Sequence, residues 1–177
     1  MIRPATSSSS RHPSPQGGEA TPRPDGLTAV IFDLYGQTMG VDVRNVREIL
    51  ARQTMSRLPS APSEITGVID LRGRCVPIIE LSAILGMTPR DRDEEARIIV
   101  FELGSGNQVG VIAERVRDVV RIDAERIEPS PEIRDGYGAA PGVFGAARLE
   151  SGLVFLLEIG HFLAGFCGAA EPAHHAA

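Results

Sequence analysis

Short apolar runs broken by turn residues fill this chain, and the pattern occurs twice at a spacing of about seventy residues. The first copy opens with Val30-Ile31-Phe32-Asp33-Leu34, continues through Gly40-Val41, and reaches Val46-Arg47-Glu48-Ile49. The second opens with Ile99-Val100-Phe101-Glu102-Leu103, continues through Gly110-Val111, and reaches Val116-Arg117-Asp118-Val119. Both close alike. Gly67-Val68 precedes Pro77-Ile78-Ile79-Glu80-Leu81, and Gly142-Val143 precedes Phe155-Leu156-Leu157-Glu158-Ile159.

The pattern predicts strands at Leu27–Leu34 and Thr38–Val41, joined by a turn at Tyr35-Gly36-Gln37. Val43, Val46 and Leu50 stand at helical spacing and predict a brief helical turn. Leu58-Pro59-Ser60-Ala61-Pro62 reads as a rigid loop, because each proline fixes its φ and removes a donor. Ser63 is placed to cap a short helix through Glu64 and Ile65. Strands at Val68–Leu71 and Arg74–Glu80 flank the tight turn Arg72-Gly73, with Pro77 implying an edge or a bulge. Ser82 is the expected N-cap of a helix from Ala83 to Leu85, stopped by Gly86.

In the second copy, Arg97–Leu103 and Gln108–Ala113 form a hairpin about Gly104-Ser105-Gly106-Asn107. Strands at Glu114–Ile122, Ala146–Glu150 and Leu153–Leu157 follow, then a helix over about Gly160–Phe166. The charged stretch Thr88–Glu95 reads as a solvated connection, and Pro129-Ser130-Pro131 as the second copy's proline loop. The fold class is mainly β, with a few short helices. Two small barrel lobes side by side are expected from the internal duplication. A duplicated strand-rich unit with a seam between its halves suits the gripping of other proteins.

Residues 1–26, rich in Ser, Pro and Gly, bury too little apolar area to offset the entropy of ordering, and 167–177 are similar. The folded region is expected over 27–166. The chain holds 177 residues, 42% of them hydrophobic and none of them Trp, so the core must rest on Val, Ile and Leu. A formal net charge of −5 argues against a nucleic-acid surface, which needs a clustered cationic excess. No signal-like stretch opens the chain, and no apolar run approaches the ~20 residues of a membrane helix. Cys75 and Cys167 are far apart with no C-x-x-C spacing, which fits a reducing cytoplasm.

No catalytic, cofactor or metal constellation is expected. Gly104-Ser105-Gly106 lacks the downstream Gly-Lys-Ser/Thr of a phosphate loop and runs into a strand. His12, His174 and His175 lie in the tails, and His161 has no second ligand at metal spacing. Cys75 reads as a small apolar core residue rather than a nucleophile. Glu80 and Glu158 hold equivalent repeat positions, where helix-initiating acceptors are favoured over an acid–base pair. A small-ligand or hydrolytic barrel using Cys75 or those carboxylates is the alternative of another class. Arg72 offers a guanidinium suited to binding a carboxylate through two parallel bonds, with Glu48 as the candidate partner among several acids.

Val46-Arg47-Glu48-Ile49, Ala61-Pro62 and Gly67-Val68-Ile69-Asp70-Leu71-Arg72-Gly73, followed by Val76-Pro77-Ile78-Ile79-Glu80-Leu81, resemble the CheW chemotaxis coupling protein family. The likeness runs from about Leu27 to Leu163, through Val116-Arg117-Asp118-Val119 and Leu156-Leu157-Glu158-Ile159. It implies two five-stranded β-barrels around a shared hydrophobic centre. It also implies an adaptor, without enzymatic activity, between the cytoplasmic tip of methyl-accepting chemoreceptors and the regulatory domain of the histidine kinase CheA. Service in a non-flagellar kinase pathway is the alternative within that class.

Positions matching the family's contact residues are Val46, Glu48, Gly67, Arg72 and Gly73, and the family's matching Glu and Arg are paired. Val43, Val46 and Ile49 are expected to line a receptor groove between the lobes, with Glu48 and Arg72 at its margin. Asp70 stands where the family has Asn and could compete with Glu48 for Arg72. Met39 replaces the family's aromatic ahead of the first hairpin glycine.

Overall fold

Consecutive apolar positions such as Val30-Ile31-Phe32 and Ile98-Ile99-Val100-Phe101 suit only a strand covered on both faces, because neighbouring side chains point opposite ways. The computed structural model, which describes residues 25–88, 94–103, 106–128 and 142–163, places both segments in that position. Val30 and Phe32 face one apolar cluster while Ala29 and Ile31 face another. Ile99 and Phe101 share the first cluster, whereas Ile98 and Val100 enter a third.

The elements are β1 (Leu27–Leu34), β2 (Gln37–Asp42), a 3-10 turn (Val43–Asn45), β3 (Val46–Ala51), β4 (Ile65–Leu71), β5 (Arg74–Ile79) and α1 (Leu81–Leu85). There follow β6 (Arg97–Leu103), β7 (Asn107–Ala113), β8 (Arg115–Ile122), a 3-10 turn (Ala124–Arg126), β9 (Ile127–Glu128), β10 (Val143–Leu149), β11 (Gly152–Leu157) and α2 (Ile159–Leu163). One sheet runs β8-β1-β2-β11-β10-β9 and the other β3-β6-β7-β5-β4. The expected lobes are these two sheets, of six and five strands.

The lobes do not coincide with the two copies. β1 and β2 of the first copy pair with β8 and β11 of the second, while β6 and β7 pair with β3 and β5 of the first. Each copy therefore lends its opening hairpin to the other copy's closing strands. The central cluster, with Phe32, Leu34 and Val41 from one sheet and Ile79, Phe101 and Val111 from the other, welds the lobes together. Neither copy can bury its opening hairpin alone.

The repeated glycines have a packing cause. A Cβ on Gly110 would lie 2.5 Å from Ile78 Cδ1, and one on Gly40 would lie 3.0 Å from Leu156 Cδ2. At each point a parallel pairing closes the lobe, with Ile78 opposite Gly110 and Leu156 opposite Gly40.

Several expectations change. The helical turn is confined to Val43–Asn45, and Val46 already begins a strand. Ser63 and Glu64 form a turn rather than a helix, because β4 starts at Ile65. α1 is capped by Glu80, whose side chain accepts from the Ser82 amide, and Gly86 ends it in a left-handed conformation. Ser82 is thus inside the helix. Pro77 lies in an internal strand, but β5 pairs with β7 only at Ile78 and Ile79, so its missing donor breaks no ladder there. Cys75 is exposed, not core: β5 is covered on both faces only from Val76 onward, and Arg74 and Cys75 project beyond the core, with Cys75 opposite exposed Asp70. The N-terminal tail through residue 24, the 104–105 turn residues, the Pro129-Ser130-Pro131 loop, the helix end beyond Leu163 and the C-terminal tail lie outside the described residues.

Candidate functional site

The Arg72-Gly73 turn joins β4 to β5 through a two-residue loop, with Leu71 opposite Arg74. Both loop residues are left-handed, Arg72 at φ 55° and Gly73 at φ 80°, the turn whose twist matches a hairpin. Glycine meets that requirement freely, whereas arginine there costs roughly 1–2 kcal/mol. Asp70 offsets part of the cost, since its Oδ1 accepts the Gly73 amide at 2.7 Å. Asp70 is therefore committed to the turn and makes no ion pair with Arg72.

Arg72 instead donates from Nη2 to Glu48 Oε2 at 3.4 Å. Glu48 lies on β3 and Arg72 at the end of β4, the two outer strands of the five-stranded sheet. The sheet is therefore curled so that its edges meet, and this ion pair spans the meeting point. Arg72 is 79% exposed and Glu48 22%, so the pair fixes geometry more than it stabilises.

A second link joins the same edges. Ser56 and Val68 exchange backbone hydrogen bonds of 2.9 and 2.8 Å, in a bridge just after β3. Gly67 makes that approach possible: a Cβ there would stand 2.8 Å from the Ser56 carbonyl oxygen. Gly67 is buried, so it sets the position of the site's edge rather than presenting a side chain to a partner.

The remaining predicted residues fall on the opposite side of β3. A register shift between Val46 and Glu48 puts Val46 opposite Phe101 and Ile49 opposite Ile99, both strands' rows toward the central cluster. Val43 and Val46 pack half-buried on that cluster, and Ile49 is 40% exposed. Val43 also lines an open depression of about 390 Å³ on the six-stranded sheet's side of the 3-10 turn, with Asp42, Arg44, Thr28 and Arg121. The site thus has two faces: an apolar one of Val43, Val46 and Ile49 toward the seam, and a polar one of Glu48, Arg72 and Gly73 at the lobe's end.

Among the ion pairs that escaped the sequence reading, two stand at the register shifts. Arg47 Nη1 meets Glu102 at 3.3 Å, and Arg117 Nε donates to Asp33 at 2.7 and 2.9 Å. They are equivalent in the repeat and pin each register shift to the neighbouring strand. The Asp33 hydrogen bond, and then its charge, hold Arg117 above its ordinary pKa. The signal was present in the matched Phe32-Asp33/Phe101-Glu102 and Val46-Arg47/Val116-Arg117 pairs. Among the described residues no group of three or more His, Cys, Asp or Glu is placed to hold a metal.

A family model for the CheW-like domain matches residues 28–165. The chain belongs to the CheW-like domain family. It is 36% identical over 107 residues to a chemotaxis protein CheW of Klebsiella aerogenes, covering 60% of this chain and 64% of that one. A chemotaxis protein CheW of Rhizobium meliloti is 30% identical over 134 residues, covering 76% of this chain and 85% of that one. The alignment thus spans a little under two thirds of the Klebsiella relative's length. The crystal structure of the scaffolding protein TtCheW of Thermoanaerobacter tengcongensis superposes with a TM-score of 0.69 at 28% identity, covering 86% of this chain and 93% of that one. No helix among the described residues is long and apolar enough to cross a membrane.

Proposed function

We propose that this protein is a cytoplasmic chemotaxis scaffold that couples methyl-accepting chemoreceptors to the histidine kinase CheA, itself making and breaking no bond. The observation that carries the reading is the Glu48–Arg72 pair at 3.4 Å, joining the sheet's two edges beside the exposed Ile49. A side chain fixed by packing on one face and by an ion pair on the other presents a defined surface to a partner.

The apolar face of Val43, Val46 and Ile49 receives the helical tip of the receptor at the seam, and contributes most of the affinity. Glu48, Arg72 and Gly73 set orientation, since charged rims govern specificity and encounter more than binding strength. The lobe ends meet the regulatory domain of the kinase. Signal transfer is positional: receptor and kinase are held in register, so a shift in one biases the conformational equilibrium of the other. The inter-lobe core, to which both copies contribute, supplies the stiffness that such coupling needs.

Cosedimentation tests the reading. Receptor-bearing membranes mixed with the cognate kinase should pellet the kinase only when this protein is present. Kinase that pellets equally without it, or never pellets with it, refutes the proposal.

A further inference from the structure

The repeat sets a hairpin turn beside an outer strand in each lobe, and the two lobes treat that place differently. In the five-stranded lobe the turn between β4 and β5 carries Arg72 and Gly73, and Arg72 reaches Glu48 of β3. In the six-stranded lobe the turn between β10 and β11 carries Glu150 and Ser151 at the same places. Asp118 of β8 stands for Glu48, opposite Ile31 as Glu48 is opposite Val100. Two carboxylates thus replace the ion pair. Both line one open depression of about 400 Å³, together with the apolar Ile31, Val120 and Leu149.

The two cations that also line this depression are engaged: Arg117 donates to Asp33, and Arg126 to the Arg148 carbonyl. One oxygen of Asp118 accepts the Val119 amide, and neither Asp118 nor Glu150 makes an ion pair among the described residues. The chain holds further guanidiniums in residues 1–24, which carry Arg3, Arg11 and Arg23 against Glu19 alone. The point where that segment joins the body is fixed beside β8. Gly26 packs on the Ile122 carbonyl too closely to admit a Cβ, and Arg121 donates to the Asp25 carbonyl. Leu27 pairs with Ile122 and Ile31 with Asp118, so the depression lies about 13 Å along the strand from that junction. The depression nearer the junction is lined by two arginines, Arg44 and Arg121, and its Asp42 is already paired with Arg44.

We propose that the N-terminal segment docks in cis in the six-stranded lobe's depression, with the Arg11 guanidinium between Asp118 and Glu150. Arg11 lies fourteen residues before Asp25, and a coil of that length spans about 20 Å, which covers the distance. Arg23 is only two residues from Asp25, and two extended residues span about 7 Å. The methylene stem of Arg11 packs on Val120 and Leu149 while its head takes both carboxylates. Tethering keeps the effective concentration in the millimolar range, so a weak contact suffices for occupancy. The segment gives this lobe the bridge that Arg72 gives the other, and a partner seating at this end must first displace it. The inference rests on the fold and not on the scaffold reading.

The chain contains no lysine, so Arg11→Lys introduces a unique side-chain amine for zero-length carbodiimide coupling. In dilute full-length protein at about 25 mM salt, mass spectrometry of the digest should find that amine joined within one chain to Asp118 or Glu150. The yield there should exceed that at the exposed Asp70 and Glu94 about fivefold, and should fall about fivefold at about 500 mM salt. In a second measurement, Arg11→Glu should shift the amide resonances of Glu150 and Ser151 while leaving the melting curve unchanged. Coupling spread evenly over the exposed acids overturns the proposal, as do Glu150 and Ser151 resonances that Arg11→Glu leaves in place. Coupling to Asp118 or Glu150 of a second molecule assigns the depression to another copy and overturns docking in cis.

Discussion

Gly67→Ala separates a positional role at this site from a contact role. The new Cβ would lie 2.8 Å from the Ser56 carbonyl oxygen and 3.3 Å from Met55 Cβ. Ordinary carbon–oxygen approaches are about 3.3–3.6 Å, so Ser56 must retreat by about half an ångström or more. The obstructing atom is backbone and cannot rotate away. Retreat lengthens both Ser56–Val68 hydrogen bonds, now 2.9 and 2.8 Å. Each is worth about 0.5–1.5 kcal/mol net, while Gly to Ala returns about 0.4–1 kcal/mol from the unfolded chain. The expected net loss is about 1–2 kcal/mol.

Urea denaturation gives the total, and amide hydrogen exchange gives the place. Ser56 and Val68 should lose protection, while Ile99 and Val111 in the β6–β7 hairpin hold theirs. Receptor binding should weaken in step, because the edge that carries Arg72 has moved. Unchanged stability with unchanged exchange at Ser56 would refute the argument.

Gly110→Ala should destabilise by about 1–3 kcal/mol and Gly40→Ala by less, because the nearest contact is 2.5 Å in one and 3.0 Å in the other. Adding Ile78→Val, which removes the obstructing Cδ1, should recover part of the Gly110→Ala loss in a double-mutant cycle read by thermal melting. Phe101→Ala and Phe32→Ala, at fully buried and equivalent positions of the shared core, should each cost about 3–5 kcal/mol in urea denaturation and melt both lobes together. Separate transitions for the two lobes would contradict the exchange of hairpins. Arg72→Ala should leave the melting curve nearly unchanged, because the pair is mostly solvent-screened, yet weaken receptor or kinase binding in calorimetric titration.

Parts of this fold were legible because their signals are local. The strand Leu27–Leu34 ends as expected, since Tyr35-Gly36 supplies consecutive left-handed residues at φ 52° and 76°. The Glu48–Arg72 contact was expected from the resemblance and is present. The helical spacing of Val43, Val46 and Leu50 holds only over its first step: the 3-10 turn puts Val43 and Val46 on the central cluster, whereas Leu50 packs on the five-stranded sheet's other cluster. The register shift around Arg47 turns Val46 and Ile49 the same way three residues apart. The same shift recurs between Val116 and Val119. Cys75 was misplaced because an apolar-looking run does not show where its strand emerges from the core, and the first two residues of β5 lie beyond it.

The exchange of hairpins between copies was not legible at all. β1 and β6 have near-identical patterns, so each would fit either β3 or β8 by hydrophobicity alone. Only the packed core decides.

Kinase autophosphorylation in the presence of receptor-bearing membranes tests the central claim most directly, with wild-type protein, with Arg72→Ala, and with no protein added. The account predicts that receptor control of the rate appears only with wild-type protein and is largely lost with the variant, although both fold equally well. Receptor control that persists without the protein, or that is complete with Arg72→Ala, contradicts it.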